Sequence, residues 1–285
     1  MNTISKKIEF IVDSKDANQV SKDGSSFNIL LDDGGIQIPK DALIAELTVQ
    51  SCFVWYTTPN IVTDENDKFY IFGQPEGGGV SQNWILTIEQ GLYDANQLNT
   101  ALANALEEQG AQTTPSPLIV FSGDNSTQKI VFQFSNIDTT IDFTQSNTCR
   151  KILGMNSVVL GPYPTVPKYV YADNVAQFAT VSNYLLHSDL VTQGIRKNNS
   201  YTQIIAEIPI TAQPGNQNIY LPYNPTISSC IPLIGASRTS INFWLTDQNG
   251  NNLNTNSETY SARIRIEYHV PFVVTEQSGS GRKLW

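Results

Sequence analysis

The sequence has 285 residues, a net charge of −9 at pH 7 and a pI near 4.7. This charge argues against a protein that binds nucleic-acid phosphates over a broad face, because such binding requires a net basic surface. Apolar residues make up 40% of the chain, which supports a hydrophobic core and excludes an intrinsically disordered protein. Asparagine and glutamine together number 45 and slightly exceed the 43 charged residues, which suits subunits that pack side by side.

Three widely spaced cysteines, Cys52, Cys149 and Cys230, occur without any CxxC pairing. They predict free, mostly buried thiols in a protein from a reducing compartment. No run of about 18 apolar residues and no signal-peptide pattern is present, so we expect no membrane span and folding in a cytosol. The sequons at Asn125 and Asn198 are then expected to remain unglycosylated.

The N-terminal part predicts strands. Weak patterns near 5–13 and 27–31 precede a long strand over 43–56, where apolar and polar residues alternate. The alternation assigns to the buried face Leu43, Ala45, Leu47, Val49, Phe53 and Trp55, and to the opposite face Glu46, Thr48, Gln50 and Tyr56. Each large apolar side chain that becomes buried contributes roughly 1.5–3 kcal/mol, so this strand is expected to supply much of a core.

The middle of the chain combines weak strand patterns, near 68–72, 84–89, 129–134 and 137–143, with a helix. Asp94 as N-cap and Gln97 three positions later form a capping box, and an apolar stripe follows that stops before Gly110. The stripe consists of Leu98, Ala101, Leu102, Ala105 and Leu106. A second, shorter helix is predicted over 146–153, with Gly154 as its left-handed stop.

The C-terminal half predicts strands near 178–187, 203–209 and 218–221, and two clearer ones. In the first, Ile241, Phe243 and Leu245 alternate with Asn242 and Thr246. The last strand, 260–270, has the strictest alternation. Its apolar face is formed by Tyr260, Ala262, Ile264, Ile266, Tyr268 and Val270, and its polar face by Ser261, Arg263, Arg265, Glu267 and His269.

These elements predict a mainly β protein, a single jelly-roll β-sandwich with an inserted α+β segment. The two β-rich flanks, residues 1–60 and 165–274, supply about the eight strands that one jelly roll needs. Residues 61–164 form the predicted insertion. Residues 275–285 are expected to be a flexible tail with a basic and aromatic tip.

No catalytic motif emerges from the sequence. His187 and His269 lie in strand-like segments without metal-ligand spacing or a triad partner, and no G-x-S-x-G elbow occurs. The glycine run at 77–79 lacks the Lys-Ser/Thr and the helix of a P-loop. The segment 138–140 lacks the glycine of an aspartic-protease turn. We therefore predict no enzyme, no catalytic residues and no cofactor.

A weak calcium pattern is present near the C-terminus. Asp247, Asn249, Asn251 and Glu258 occupy positions 1, 3, 5 and 12 of the EF-hand loop pattern, but Asn252 replaces the glycine at position 6. Strands, rather than helices, flank the loop. A hairpin turn at Asn-Gly 249–250 explains the same residues, so the favoured prediction is a turn and no metal site. The acidic pair Asp64 and Asp67 is expected to lie in a solvated loop.

Four stretches in a fixed order carry a family resemblance. The first is SSFNILL at 25–31, followed by IPKDA at 38–42 and TPNI at 58–61, and the second is GLY at 91–93 with the helix that follows. The third is ILGM at 152–155, and the fourth joins YLLHSDL at 184–190 to FWLTDQNG at 243–250. Together they resemble the penton, or vertex, capsid proteins of virophages and Polinton-like double-stranded DNA viruses. Met155 stands where that family tends to have an aromatic residue.

The resemblance implies a structural capsid protein: a jelly roll that stands upright in an icosahedral virion shell, with five copies in a ring at each vertex. It implies double jelly-roll major capsid proteins as neighbours and synthesis in a host cytoplasm. A closed ring needs two different complementary faces on each subunit. Candidate contacts are the row Arg263, Glu267 and His269 and the polar face of 43–56.

Two alternatives stay open at the level of sequence. One is a minor capsid or cement protein of the same type of virus. The other is a receptor- or carbohydrate-binding β-sandwich, for which the candidate binding residues are four tyrosines among prolines: Tyr163, Tyr169, Tyr171 and Tyr223. A hydrolase on a β scaffold is the weakest hypothesis, because no catalytic residues support it.

Overall fold

The structure is a computed structural model that describes residues 2–32, 34–75, 78–111 and 118–272. The chain divides into two compact units. The first combines Met1–Tyr56 with Asn183–Trp285, and the second is Thr57–Ser182. The predicted tail, 275–285, lies outside the described residues.

The secondary structure is mainly β. The first unit begins with β1 (Asn2–Asp13), β2 (Gln19–Val20), β3 (Ser26–Leu30), β4 (Ile36–Gln37) and β5 (Ile44–Trp55). The second unit contains β6 (Lys68–Gly73), β7 (Gln82–Thr87), α1 (Ala95–Glu108), β8 (Ile119–Asp124), β9 (Lys129–Phe134), β10 (Thr140–Asp142), β11 (Val159–Leu160) and β12 (Lys168–Tyr171). The first unit then continues with β13 (Asn183–Ser188), β14 (Arg196–Lys197), β15 (Ser200–Tyr201), β16 (Ile204–Pro209), β17 (Gln217–Tyr220), β18 (Ile227–Ser229), β19 (Ser237–Arg238), β20 (Ser240–Thr246) and β21 (Tyr260–Phe272).

Two antiparallel sheets form the sandwich of the first unit, which also contains the two-stranded sheets β14-β15 and β19-β4. Sheet I has the order β1-β21-β5-β17, with β18 also paired to β5, and sheet II has the order β16-β13-β20-β3-β2. Their inner faces pack together: the rings of Phe27 on β3 and Tyr260 on β21 lie 5.0 Å apart, and the Tyr260 hydroxyl donates to the Ser25 carbonyl at 2.8 Å. The predicted fold class, a jelly-roll sandwich with an inserted α+β segment, is confirmed.

The prediction for the strand over 43–56 is wrong in its second half. β21 pairs with β5 through Arg263 and Ser51 and then through Ile264 and Val49, so Gln50 is an extra residue, a β-bulge. A bulge shifts the alternation by one residue. Beyond it the buried residues are Cys52, Val54 and Tyr56, whereas Phe53 and Trp55 stand half-buried on the outer face, and Leu43 before β5 is exposed.

The second unit has its own core. Sheet III (β11-β10-β6-β7) and sheet IV (β12-β9-β8) contribute apolar side chains that pack with the fully buried Leu98, Leu102 and Leu106 of α1. The predicted capping box is present, because the Asp94 carboxylate accepts from the Gln97 backbone N–H and the Gln97 side chain accepts from the Asp94 N–H. The helix prediction is confirmed.

Buried Asn60 connects three segments of the second unit. Its amide group donates to the carbonyls of Tyr93 at 2.7 Å and Phe178 at 2.9 Å, and its carbonyl oxygen accepts from the Tyr93 N–H at 2.9 Å. Asn60 and Tyr93 belong to two of the sequence stretches that carry the family resemblance. The hydrogen bonds require the side chain of Asn60 but only the backbone of Tyr93.

Two predictions differ from the structure within Thr57–Ser182. The second predicted helix, over 146–153, is a single 3₁₀ turn at Cys149–Lys151. The predicted insertion ended at 164, but Lys168–Tyr171 pairs with β9, so the compact unit extends to Ser182. The alternation of apolar and polar residues also does not predict β8. The first residues of this strand belong to the unbroken apolar run 118–121, which shows no such alternation.

Two glycines with left-handed backbone provide a matched test of packing. Gly154, at φ +72°, follows the 3₁₀ turn as predicted, and Gly110, at φ +67°, follows α1. A Cβ at Gly154 would lie 2.3 Å from the Asn174 carbonyl oxygen, whereas one at Gly110 would have no neighbour within 4 Å.

We predict that Gly110→Ala lowers the free energy of unfolding by roughly 1–2 kcal/mol, and that Gly154→Ala lowers it by about 1–3 kcal/mol more. Urea unfolding measures both, and equal losses would contradict the packing described around Gly154.

Candidate assembly surface

The outer face of sheet I is the surface on which the predicted contact residues lie. The β21 residues that point away from the core face the same way as alternate residues of β1, because the two strands pair over their whole length. The structure therefore places Arg263, Glu267 and His269 on one exposed or half-exposed row. It also gives each of these side chains a partner within the chain.

Ion pairs link β21 to β1. Arg263 and Arg265 both donate to the Glu9 carboxylate, at 2.6 and 2.7 Å. These hydrogen bonds, that of Arg263 first, lower the pKa of Glu9. Because all three side chains are solvent-accessible, the pairs contribute little to stability. Because two guanidinium groups share one carboxylate, this cluster keeps a net positive charge.

A second cluster surrounds Glu267. The Ser5 hydroxyl donates to its carboxylate, Lys7 Nζ lies 3.6 Å away, and His269 Nε2 lies 4.0 Å away. The hydrogen bond from Ser5 is the main cause that lowers the pKa of Glu267. The half of the outer face formed by β1 and β21 is thus polar and internally paired.

The other half of the outer face of sheet I is apolar. At the edge formed by β17 and β18, Ile219 is 53% exposed and Ile227 is 62% exposed, and Leu221, just after β17, is 68% exposed. Ile219 pairs with Phe53, which the bulge at Gln50 turns to this face. We call Phe53, Ile219, Leu221 and Ile227 the apolar edge. Sequence reasoning missed it, because strict alternation assigned Phe53 to the core.

The opposite edge of sheet I is β1, a strand of 12 residues. In the described part of the chain, its ladder partner is β21, on one side only. Such an edge presents unpaired backbone N–H and C=O groups that a further chain can pair with. Ile4 and Ile11 are 43% and 73% exposed along it. The two edges of sheet I share exposed isoleucines but differ in charge, because β1 contains Lys7 and Glu9 whereas β17 and β18 contain no charged residue.

The predicted polar face of 43–56 lies partly on this surface. Glu46 and Thr48 alternate with the buried Ala45, Leu47 and Val49 and are half-exposed. Gln50, at the bulge, donates to the Thr48 hydroxyl at 2.7 Å. These side chains separate the charged half of the outer face from the apolar edge.

The four candidate tyrosines are divided between the two units. Tyr169 and Tyr171, 55% and 57% exposed, share a face of β12 in the second unit. Tyr163 in that unit is packed edge-to-face on Phe134, at 5.1 Å between ring centres. Tyr223 belongs to the first unit and is 96% exposed.

The calcium pattern forms a turn. The Asp247 carboxylate accepts from the backbone N–H groups of Asn249 and Asn251 and from the Asn251 side-chain amide, and Gly250 takes a φ of +93°. Burial acts to raise the pKa of Asp247, but these hydrogen bonds, led by that of Asn251, lower it by more. The carboxylate oxygens are occupied by N–H donors, as the favoured turn hypothesis requires.

The remaining sequence candidates are dispersed. Gly77 lies outside the described residues, and Gly78 and Gly79 lead into strand β7 rather than a helix. Asp64 is exposed as expected, but the expectation for Asp67 is wrong: it is fully buried at the start of β6, with its carboxylate 3.8 Å from Lys68 Nζ. Asp138, Thr139 and Thr140 lead from a turn into strand β10, and Thr139 is fully buried.

The three cysteines are free and buried, as predicted. Burial raises the pKa of Cys52 and of Cys230 to about 12, and it also raises the pKa of Cys149. A thiol that stays protonated at neutral pH is a poor nucleophile. Within the residues that the structure describes, no helix combines the length and hydrophobicity that a membrane crossing requires.

Comparison with known proteins gives one kind of match. No family model matches the sequence, and no curated protein matches it. Among solved structures, the crystal structure of the selenomethionine-labelled mavirus penton protein is similar to this chain over 95% of its length and 100% of the other. The sequence identity is 13% and the TM-score is 0.48. At these values, an assignment of function depends on the chain's own residues.

His187 makes the stability of the first unit depend on pH. Its ring stacks on Trp244 at 5.0 Å, and its Nε2 lies 2.9 Å from the Thr246 hydroxyl. Burial, and after it the charge of Lys197, lowers the pKa of His187 from 6.5 to about 4. The unfolded chain therefore takes up a proton near pH 6.5, whereas the folded chain does so only near pH 4, so stability is lost as the pH falls through this window.

We predict that His187→Phe, which keeps an aromatic ring beside Trp244, reduces this loss. Urea unfolding at pH 7 and pH 5 should show a smaller decrease in the free energy of unfolding for the variant than for the wild type. Parallel decreases in the two proteins would contradict the lowered pKa of His187.

Proposed function

We propose that this chain is a structural capsid protein, the penton, that forms the five-fold vertex of an icosahedral double-stranded DNA virus. The ordered sequence stretches that resemble virophage penton proteins support this role, as does the jelly-roll sandwich. The role requires no catalysis and no cofactor. Its partners would be four further copies of the chain and double jelly-roll major capsid proteins, and its location the virion.

The observation that carries the proposal is the difference between the two edges of sheet I. A ring closes through heterologous contacts, in which one surface of a subunit meets a different surface of the next. The β1 edge offers the charged side chains Lys7 and Glu9 with Arg263 of β21, and the apolar edge offers Phe53, Ile219, Leu221 and Ile227. Two unlike surfaces on one sheet suit a head-to-tail arrangement.

The exposed area of the apolar edge also favours assembly. Exposed isoleucines and leucines are common singly on soluble proteins, whereas a contiguous exposed apolar patch marks an interaction surface. Ile219 lies opposite Phe53 and Leu221 follows it two residues later, while Ile227 lies further along β5, opposite Thr48. When a partner covers these side chains, each Å² of apolar surface removed from water stabilises the complex by about 25 cal/mol. In this proposal the second unit, Thr57–Ser182, decorates or braces the vertex, and a minor capsid or cement role is the alternative.

The proposal predicts the effect of a charge at the apolar edge. Ile219→Lys should shift the wild-type pentamer to monomers in native mass spectrometry over a range of concentrations, because a buried ammonium without a partner is costly. The matched control is Ile85→Lys, which changes a strand isoleucine of similar exposure, 60% against 53%, in the second unit. The control should remain pentameric.

Folding is checked separately, since both variants should keep the wild-type far-ultraviolet circular dichroism spectrum even though loss of the pentamer lowers the melting temperature of Ile219→Lys. A trimeric wild type would contradict the vertex role and favour a different capsid position. A pentamer that Ile219→Lys leaves intact would show that the ring closes through other surfaces.

A further inference from the structure

A groove crosses the outer face of sheet II, away from the surfaces proposed for assembly. It has a volume of about 510 Å³, within the range of small-molecule sites, and it runs over strands β2, β3 and β20 with Asn252 at one side. Its aromatic element is the indole of Trp244. No sequence motif singled out this groove.

The register of three strands explains why the indole is available. Trp244 pairs with His187 on one side and with Ser26 on the other. His187 stacks on it at 5.0 Å with an angle of 14° between the rings, which fixes its orientation. Ser26 is too small to cover the indole from the other side, and the groove includes Ser26 but not His187. A flat aromatic surface is therefore held in place beside open space.

The polar groups around the indole are free to bind. Within the described residues, no hydrogen-bond partner engages the side chains of Gln19, Ser26 or Asn252 or the indole N–H of Trp244. Asn28 and Asn242, in contrast, are held in place: Asn28 donates to Asn242 at 2.9 Å, and Asn242 donates to Asp189 at 2.8 Å. The groove thus contains two amide side chains held by hydrogen bonds, Asn28 and Asn242, and two without such bonds, Gln19 and Asn252.

The charge of the groove restricts the ligand class. Every side chain that lines it is uncharged. A phosphate or a carboxylate would be desolvated there without a cationic partner, which is costly, and the carboxylates of Asp23 and Asp189, which bond the lining residues Ser21 and Asn242, would repel it. A neutral molecule with hydroxyl groups suits it, because each hydroxyl both donates and accepts and so matches amide and serine side chains.

We propose that this groove is a binding site for a neutral carbohydrate. One apolar face of a sugar ring packs on the Trp244 indole, on the side of Ser26, while its hydroxyl groups bond to Gln19, Asn252 and the indole N–H. The lining residues all come from one chain, so no second copy is needed to build the site. It would give the chain a means to recognise a glycan in addition to its proposed structural role.

The test is binding of the full chain to an array of neutral and sialylated glycans, followed by titration of the strongest neutral saccharide. We expect binding to at least one neutral glycan, and at least tenfold weaker binding for Ser26→Ile, which fills the space beside the indole with a residue suited to a strand. Gln19→Ala, at an exposed position, should weaken binding without affecting folding. The matched control, Trp55→Phe, alters a half-buried tryptophan of sheet I and should leave binding unchanged.

The possible outcomes separate clearly. Failure of every neutral glycan to bind would overturn the proposal, as would binding that Ser26→Ile and Gln19→Ala both leave unchanged. Binding restricted to sialylated glycans would also overturn it, because the groove has no cation. Circular dichroism melting of each variant identifies any loss that is due to unfolding.

Discussion

The first unit depends on β21, because this strand pairs over its length with β1 on one side and β5 on the other. Its strict alternation buries Tyr260, Ala262, Ile264 and Ile266 in the sandwich core and directs Arg263, Arg265 and Glu267 outward. A slip of one residue would exchange these two sets, so the register is strongly specified. The same strand therefore fixes both the core and the charged half of the outer face.

The sequence predicts most of this arrangement, because half-buried strands and amphipathic helices have regular periods. The departures have local causes. The bulge at Gln50 reverses the faces of Phe53 and Trp55, and a single-sequence pattern contains no sign of the extra residue. The stretch 146–153 is rich in polar residues that suit a turn as well as a helix, and the structure gives it one 3₁₀ turn closed by Gly154.

The surfaces were harder to predict than the core. The row Arg263, Glu267 and His269 stands out in the sequence, yet each of these side chains is engaged within the chain. The apolar edge depends on which residues become neighbours across strands, and the groove at Trp244 depends on the small Ser26 beside it. Both arise from register, which sequence periodicity alone does not define. They lie on different sheets of the first unit.

The most direct test of the central claim is electron microscopy of the purified chain, with two-dimensional class averages of the assembled particles. Ring closure between unlike edges of sheet I predicts end-on views with five-fold symmetry. Averages with two-fold or three-fold symmetry, or only single subunits at every concentration, would contradict the account, because the two edges would then not form a closed ring of five.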